Sequence, residues 1–269
     1  MNVVYSWREA PAAEFAVIGD PVSHSRSPVM HSAAYAALGL HFRYLAIHVL
    51  PGEVSAALDR LTALGFRGVN VTVPHKEEVL AWAQIVEPLA ARIRAANTVR
   101  LSDRACINTD APGFLDTLAD FQLTGRTVLL LGAGGAARAT AVALIDSGFD
   151  LRLYNRTQSK AEALAKELGL PRENVMREAD PAGASLIVNT TSASLANEDL
   201  PILWDHAEAD ALAYDLMYSE GGTRFVRTAI AHGLATADGL RLLAAQGARS
   251  FEWWIGVPAP RDVMLDAIQ

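Results

Sequence analysis

Thr127-Val128-Leu129-Leu130-Leu131-Gly132-Ala133-Gly134-Gly135-Ala136-Ala137-Arg138-Ala139 decides how this chain folds. A β-prone run enters a G-x-G-x-x-A loop, and an apolar helical pattern leaves it. Gly132 permits a tight turn, Gly134 lets a pyrophosphate approach the backbone, and Ala137 allows close helix–strand packing. The unpaired amides of the helix start then face the anion. A glycine turn can be purely structural, but the strand–turn–helix context makes this a dinucleotide site. The next strand, Leu151 to Tyr154, sets the coenzyme. NAD sites place an acid at its end for the ribose 2′-hydroxyl. Here the strand ends in Asn155-Arg156-Thr157, with Lys160 one helical turn on. A guanidinium fork, a hydroxyl and an ammonium suit a 2′-phosphate. Each charge-assisted hydrogen bond is worth roughly 1.5–3 kcal/mol, so two favour NADP by about a hundredfold or more. The plainer alternative is a cluster of solvated cations at a helix start.

Strand and helix patterns alternate on both sides of that loop, which predicts α/β architecture with largely parallel sheets. Before it, strands are expected at Phe15–Ile18, Phe42–Val49, Gly68–Val73, Asn97–Leu101 and Cys106–Asn108. Ser27-Pro28 opens a helix, with the hydroxyl as cap, that stops at Gly39. Pro51 to Leu64 is amphipathic and closes at Gly65. Helical segments follow around Glu77–Trp82 and Glu87–Arg94. Asp110-Ala111-Pro112-Gly113 reads as a break, and a helix from Phe114 to Phe121 leads into the second block. There, strands are expected at Thr127–Leu131, Leu151–Tyr154, Leu186–Asn189 and Leu212–Leu216, with helices after Gly134, Gln158 and Gly222. Beyond Asp238-Gly239 a final helix, Leu240 to Trp254, carries Leu242, Leu243, Phe251 and Trp254, which need an apolar surface.

The bulk composition narrows the partners. The chain has 269 residues, 51% hydrophobic and 20% charged, enough for one large or two ordinary domains. A formal net charge of −7 argues against nucleic acid, which needs a basic face. No apolar run approaches the roughly 18 residues that span a bilayer. Met1 to Ala13 lack a signal-peptide core and read as a loose leader. The single cysteine, Cys106, excludes an internal disulfide and fits a reducing cytoplasm. The seven histidines lack ligand spacing, so no metal is expected. His24, His31 and His75 lack an evident proton-transfer role, and Trp82, Trp204, Trp253 and Trp254 read as packing residues.

A second stretch carries chemistry: Gly68-Val69-Asn70-Val71-Thr72-Val73-Pro74-His75-Lys76. Val69, Val71 and Val73 alternate with polar residues as one buried strand face, and Pro74 ends the pairing. Thr72 points away from that face, and Lys76 falls just past the carboxyl end, the rim where open α/β sheets bind ligands. A solvated lysine after a strand is the bland reading. In His24-Ser25-Arg26-Ser27-Pro28, Ser25 and Ser27 flank a helix start and suit a carboxylate, or serve as loop residue and cap. Asn97 and Asp110, at strand ends, either read hydroxyls of a polyol or form turns.

Together these segments resemble the shikimate dehydrogenase family. The resemblance rests on Val22-Ser23-His24-Ser25-Arg26-Ser27-Pro28, Asn70-Val71-Thr72-Val73-Pro74-His75-Lys76, Ala96-Asn97-Thr98-Val99, Asn108-Thr109-Asp110, Gly132 to Ala136, Asn155-Arg156-Thr157, Asp215-Leu216-Met217-Tyr218 and Leu243-Ala244-Ala245-Gln246. It implies an α/β substrate-binding domain, 1–112 completed by 239–269, and a Rossmann-like NADP-binding domain, 113–238, with a deep cleft between them. It further implies that Ser25 and Ser27 hold the substrate carboxylate with Tyr218 nearby. Thr72, Lys76, Asn97, Asp110 and Gln246 would bind ring hydroxyls, with Lys76 and Asp110 as the catalytic pair. Gly132, Ala133, Gly134, Gly135 and Ala136 would cradle the pyrophosphate; Asn155, Arg156, Thr157 and Lys160 would surround the ribose phosphate. Met217 or Leu216 would lie against the nicotinamide, with Gly239 also on the cofactor.

The implied activity is NADPH-dependent, reversible reduction of 3-dehydroshikimate to shikimate in the aromatic amino-acid (chorismate) pathway. The enzyme would be cytoplasmic, a monomer or homodimer. Lys76, paired with Asp110, would donate a proton to the developing alkoxide. The sequence departs from the family at two places. Ser194-Leu195 replaces a usual Gly-Met pair after Asn189-Thr190-Thr191, and Cys106 replaces a frequent glycine. A quinate/shikimate or aminoshikimate dehydrogenase is the alternative within the class. A non-catalytic NADP-binding regulator could keep the glycine loop while losing Lys76 or Asp110, and both are present. A short-chain dehydrogenase is disfavoured because no Tyr-x-x-x-Lys follows the loop.

Overall fold

In a computed structural model of the chain, residues 3–194, 196 and 198–269 are described. The elements of the first half are β1 (Val4–Ser6), β2 (Phe15–Gly19), α1 (Ser27–Ala37), β3 (Tyr44–His48), α2 (Val54–Ala63), β4 (Gly68–Val71), α3 (Val79–Trp82), β5 (Ile85–Val86), α4 (Pro88–Ile93), β6 (Thr98–Arg100), β7 (Ala105–Ile107) and α5 (Asp110–Leu118). Then come β8 (Thr127–Leu131), α6 (Gly135–Asp146), β9 (Asp150–Tyr154), α7 (Gln158–Glu167), β10 (Leu186–Asn189), β11 (Leu212–Asp215), α8 (Arg224–Ala231), β12 (Ala235–Ala237), α9 (Gly239–Ile255) and α10 (Arg261–Asp266). They divide into two compact units, Met1–Gly113 with Leu243–Gln269, and Phe114–Leu242. The divisions fall inside α5 and α9.

The first unit holds a seven-stranded sheet in the order β1-β3-β2-β4-β6-β7-β5. Strands β1, β3, β2 and β4 run parallel, while β6 is antiparallel to both β4 and β7. The chain steps from β2 to β3 on one side and returns to β4 on the other. The gap between the β2 and β4 carboxyl ends is therefore a topological switch point, where ligands bind in such sheets. One face packs Ala16, Ile18, Ile47, Val69 and Val71 against Leu58 and Leu61 of α2. The opposite face carries stacked aromatics: Phe15 lies 4.9 Å from Trp254 of α9, and Tyr35 of α1 lies 5.7 Å from Phe251. That cluster supplies the apolar surface that Phe251 and Trp254 require.

Covering both faces changes how the alternation in β4 is read. Asn70, placed outside by its polarity, is buried, because α9 closes the face it points to. Val73, grouped with Val69 and Val71, is instead 62% exposed. The strand ends at Val71, and the His75 amide closes a turn on the Thr72 carbonyl at 3.0 Å, carrying Val73 off the sheet.

Other expectations are corrected. Met1 to Ala13 contain β1, which pairs Val4 with Ala46, and Trp7 donates to Glu53 at 2.8 Å. Three residues are too few to show a period. Asp110-Ala111-Pro112-Gly113 is no break but the first turn of α5, where proline loses no bond. Helix α1 starts at Ser27 itself with Arg26 at the cap position, so Ser27 is not the cap. The short β5, β12 and α10 went unread.

The second unit is a five-stranded parallel sheet, β12-β11-β10-β8-β9. Leu130, Val188 and Tyr214 face Ala141, Leu144 and Leu164 of α6 and α7, and Leu129, Ile187 and Ala213 face Phe225 and Ala229 of α8. The strand order reverses between β8 and β10, which makes their carboxyl ends the crevice of this sheet. Among the described residues no helix is long and apolar enough to cross a membrane.

Candidate active site

The switch point of the first sheet gathers the residues read as chemical. Ser25 and Ser27 follow β2, and Thr72 and Lys76 follow β4. Because β6 runs antiparallel to β4, its start brings Asn97 to the same rim, where the Val71 amide donates to the Asn97 carbonyl at 2.9 Å. Strand β7 turns back once more and delivers Thr109 and Asp110 there.

Lys76 Nζ donates to Asp110 Oδ2 at 2.8 Å. Their side chains are 32% and 21% accessible, so a ligand can reach both without the pair being plain surface charge. The amide of Asn97 organises the rest. Its Nδ2 donates to Asp110 Oδ1 at 3.0 Å and to Gln246 Oε1 of α9 at 3.1 Å, and its Oδ1 accepts from the Thr109 amide at 2.7 Å. One residue thus tethers the second carboxylate oxygen of Asp110 while Lys76 takes the first. Gln246 Nε2 is held by the Leu243 carbonyl at 2.8 Å. The Ser25 hydroxyl accepts from the Ser27 amide at 3.3 Å and so begins the helix that Ser27 was expected to cap. The Ser27 hydroxyl lies against the Tyr44 phenol, whose pKa burial pushes well above its ordinary value.

Behind this rim lies a polar layer that sequence reading assigned no role. The Tyr44 hydroxyl donates to Asn70 Oδ1 at 2.7 Å. Asn70 Nδ2 donates to Ser250 Oγ at 2.9 Å, and Ser250 Oγ is 2.7 Å from Thr98 Oγ1. The only signal for it was polar side chains inside apolar strands and one serine, a turn past Gln246, on the apolar face of a helix. His31 is fully buried and stacks on Tyr44 at 4.4 Å, with neither ring nitrogen in a hydrogen bond of normal geometry. Burial pushes it down to about 3, against the opposing effect of the neighbouring Asn70. It stays neutral at pH 7. His75 is buried and hydrogen-bonded to the Val49 carbonyl at 2.8 Å, a packing role.

In the second unit, Gly132 follows β8 with φ +116°, and a Cβ there would overlap the Thr190 hydroxyl. Only glycine turns the chain into α6 at that point. Gly134 is the cap of α6 with no side-chain hydrogen bond on the helix amides, and a Cβ on Gly134 or Gly135 would meet nothing within 4 Å. Ala133 is half-buried, and Gly134, Gly135 and Ala136 are exposed. An open, uncapped helix start fits a pyrophosphate. At the end of β9, Asn155 Nδ2 holds the Thr157 carbonyl at 2.8 Å, while Arg156, Thr157 and Lys160 are exposed on the surface. The Arg156 side chain is 91% exposed and pairs loosely with Glu198 at 3.9 Å. No acid occupies the place an NAD site would give it, so the residues present fit a ribose 2′-phosphate.

Met217 and Tyr218, both half-buried, follow β11. The buried Asp215 carboxylate fixes their loop, accepting from the Met217 amide at 3.0 Å, Thr223 Oγ1 at 2.6 Å and Asn189 Nδ2 at 2.9 Å. Burial pushes its carboxyl above the ordinary value, and these donors together with Ser194 oppose the shift. Ser194 therefore has a structural partner; Leu195 lies outside the described residues. Gly239 donates to the Met217 carbonyl at 3.1 Å, and a Cβ on it would overlap the Leu216 carbonyl. Its place is thus to bring the start of α9 against the Met217 loop. Cys106 is buried in β7, and burial pushes its thiol up to about 11.

Comparison with known proteins gives the following. The model of the shikimate dehydrogenase substrate-binding domain matches residues 17–99, that of shikimate/quinate 5-dehydrogenase matches 116–186, and that of the shikimate 5′-dehydrogenase C-terminal domain matches 239–269. A curated relative from Moorella thermoacetica, named shikimate dehydrogenase (NADP(+)), is 45% identical over 266 residues, covering 93% of this chain and 90% of its own. The crystal structure of shikimate 5-dehydrogenase from Thermus thermophilus in complex with NADP(H) and shikimate has a TM-score of 0.84 at 39% identity, over 95% of this chain and 98% of that one. The crystal structure of shikimate dehydrogenase from Aquifex aeolicus gives 0.86 at 35% identity, over 96% and 98%.

Proposed function

Because the chain belongs to the shikimate dehydrogenase family, we propose that it catalyses the NADPH-dependent, reversible reduction of 3-dehydroshikimate to shikimate. The observation that carries this is the 2.8 Å contact between Lys76 Nζ and Asp110 Oδ2 at the sheet's switch point, with Asn97 and Gln246 beside it. NADPH, when bound, supplies the hydride for the 3-keto carbon. Lys76 donates the proton that the developing alkoxide takes up, and Asp110 keeps the amine aimed. The reverse reaction returns that proton to Lys76. Ser25 and Ser27 hold the substrate carboxylate. Thr72, Asn97 and Gln246 fix the ring hydroxyls, so the keto carbon presents one face to the hydride. Gly132 to Ala136 bind the pyrophosphate; Asn155, Arg156, Thr157 and Lys160 bind the 2′-phosphate; Met217 and Gly239 shape the nicotinamide pocket. The substrate domain is the segment 1–112 with 239–269, and the coenzyme domain 113–238. The enzyme works in the aromatic amino-acid pathway, in the cytoplasm, as a monomer or homodimer.

The test is spectrophotometric. Purified protein is given shikimate or quinate with NADP or NAD, and reduced nicotinamide is followed by absorbance. Shikimate with NADP should be fastest. Faster turnover of quinate, or of NAD, would reassign substrate or coenzyme, and inactivity in all four mixtures would remove the proposal.

A further inference from the structure

Ser250 sits on α9 one turn beyond Gln246, fully buried, and none of the substrate contacts proposed above involves it. Its hydroxyl nevertheless joins four partners of the first unit's polar layer. It lies 2.7 Å from Thr98 Oγ1, 3.2 Å from Thr109 Oγ1, 2.9 Å from Asn70 Nδ2 and 3.0 Å from the Gln246 carbonyl. Four partners around one hydroxyl, on strands β4 and β6, the β7–α5 junction and its own helix, make it a knot.

The direction of the bonds gives the knot its meaning. The Tyr44 phenol must donate to Asn70 Oδ1, because an amide oxygen has no proton to give. Asn70 Nδ2 therefore points at the Ser250 and Thr98 hydroxyl oxygens, which accept from it and keep their own protons for other partners. Thr109 Oγ1, against Ser250 on one side, touches the Asn97 side chain on the other, 2.9 Å from Nδ2. The Thr109 amide fixes Asn97 Oδ1 as the acceptor, so Nδ2 is the end left to face Asp110 and Gln246. The path from Ser250 to the Asp110 carboxylate is thus two side chains long, Thr109 and Asn97, and every member but Asp110 is buried.

We propose that Ser250 is a positioning residue of the reaction, bracing Thr109 and Thr98 so that Asn97 holds the Asp110 carboxylate in line with Lys76. This rests on the reading of Lys76 and Asp110 as the proton-transferring pair. A misplacement of about 1 Å at such a pair costs on the order of a hundredfold in rate, so looser bracing should cost about tenfold.

The experiment compares Ser250→Ala, Asp110→Asn and the double variant, each with kcat, KM for shikimate, KM for NADP and Tm. Ser250→Ala should lower kcat about tenfold and leave the KM for NADP within about twofold. In the Asp110→Asn background the same change should lower kcat less than about twofold, because residues acting through one another are not additive. A Ser250→Ala enzyme with unchanged kcat, or a loss equally large in both backgrounds, overturns the proposal and leaves Ser250 a folding residue that moves Tm alone. Should Ser250→Ala fail to fold, Ser250→Cys keeps the volume with a weaker donor, and the same two ratios decide. The underlying reading fails separately, if wild-type protein does not oxidise shikimate or if Asp110→Asn is fully active.

Discussion

Replacing Lys76 by alanine separates catalysis from stability at one position. The ion pair with Asp110 is short, 2.8 Å, but its two side chains keep 32% and 21% of their accessibility. Exposed pairs contribute about 0–1 kcal/mol, and a pair this partly covered lies only modestly above that range. After the substitution Asp110 still accepts from Asn97 at 3.0 Å and is reached by water, so its charge is not stranded. The loss of unfolding free energy should therefore stay below about 2 kcal/mol. The barrier should change far more. A positioned general acid is worth 10²–10⁴-fold, or about 3–5 kcal/mol of transition-state stabilisation. Steady-state kinetics in both directions should show kcat lower by about that factor, with KM for shikimate changed only a few-fold. Urea unfolding of the same preparation supplies the stability arm. If kcat survives and KM rises instead, Lys76 is a hydroxyl ligand and the proton comes from elsewhere.

Removing both cations of the ribose site, Arg156→Ala with Lys160→Ala, should raise KM for NADP by roughly a hundredfold and leave KM for NAD nearly unchanged, as titrations with each coenzyme will show; equal losses for both would mean these cations do not read the phosphate. His31 gives a prediction for acid stability. Its folded-state value of about 3 lies below the ordinary 6.5, so between those values the unfolded chain takes up a proton that the folded chain refuses. That stability is fully present above about pH 6.5 and declines by about 1.4 kcal/mol per unit as pH falls toward 3. His31→Phe, which keeps the stack on Tyr44, should flatten the urea midpoint between pH 6.5 and 4, and parallel curves for the two proteins would refute the assignment.

The residues that announce themselves in the sequence do so because their chemistry is local. Gly132 to Ala137 follow a strand and open a helix in a span of a dozen residues, and backbone geometry alone requires glycine at Gly132. The missing acid after β9 is legible for the same reason, since the ribose contact lies a fixed distance along the chain. Alternation and periodicity place the larger strands and helices, and they fail where an element is too short to show a period, as in β1, β5 and β12.

What the chain order cannot reveal is which polar groups become neighbours. Asn70 reads as an outward polar residue, and only the closure of its face by α9 buries it. Ser250 and Asn70 are 180 residues apart, and they meet because the antiparallel return of β6 and β7 and the packing of Trp254 on Phe15 bring α9 across the sheet. The identity of Lys76 and Asp110 as conspicuous residues was thus a property of sequence. Their 2.8 Å contact, and the buried layer that steadies it, exist only after the core has folded, because hydrogen-bond geometry depends on distances that no local pattern encodes.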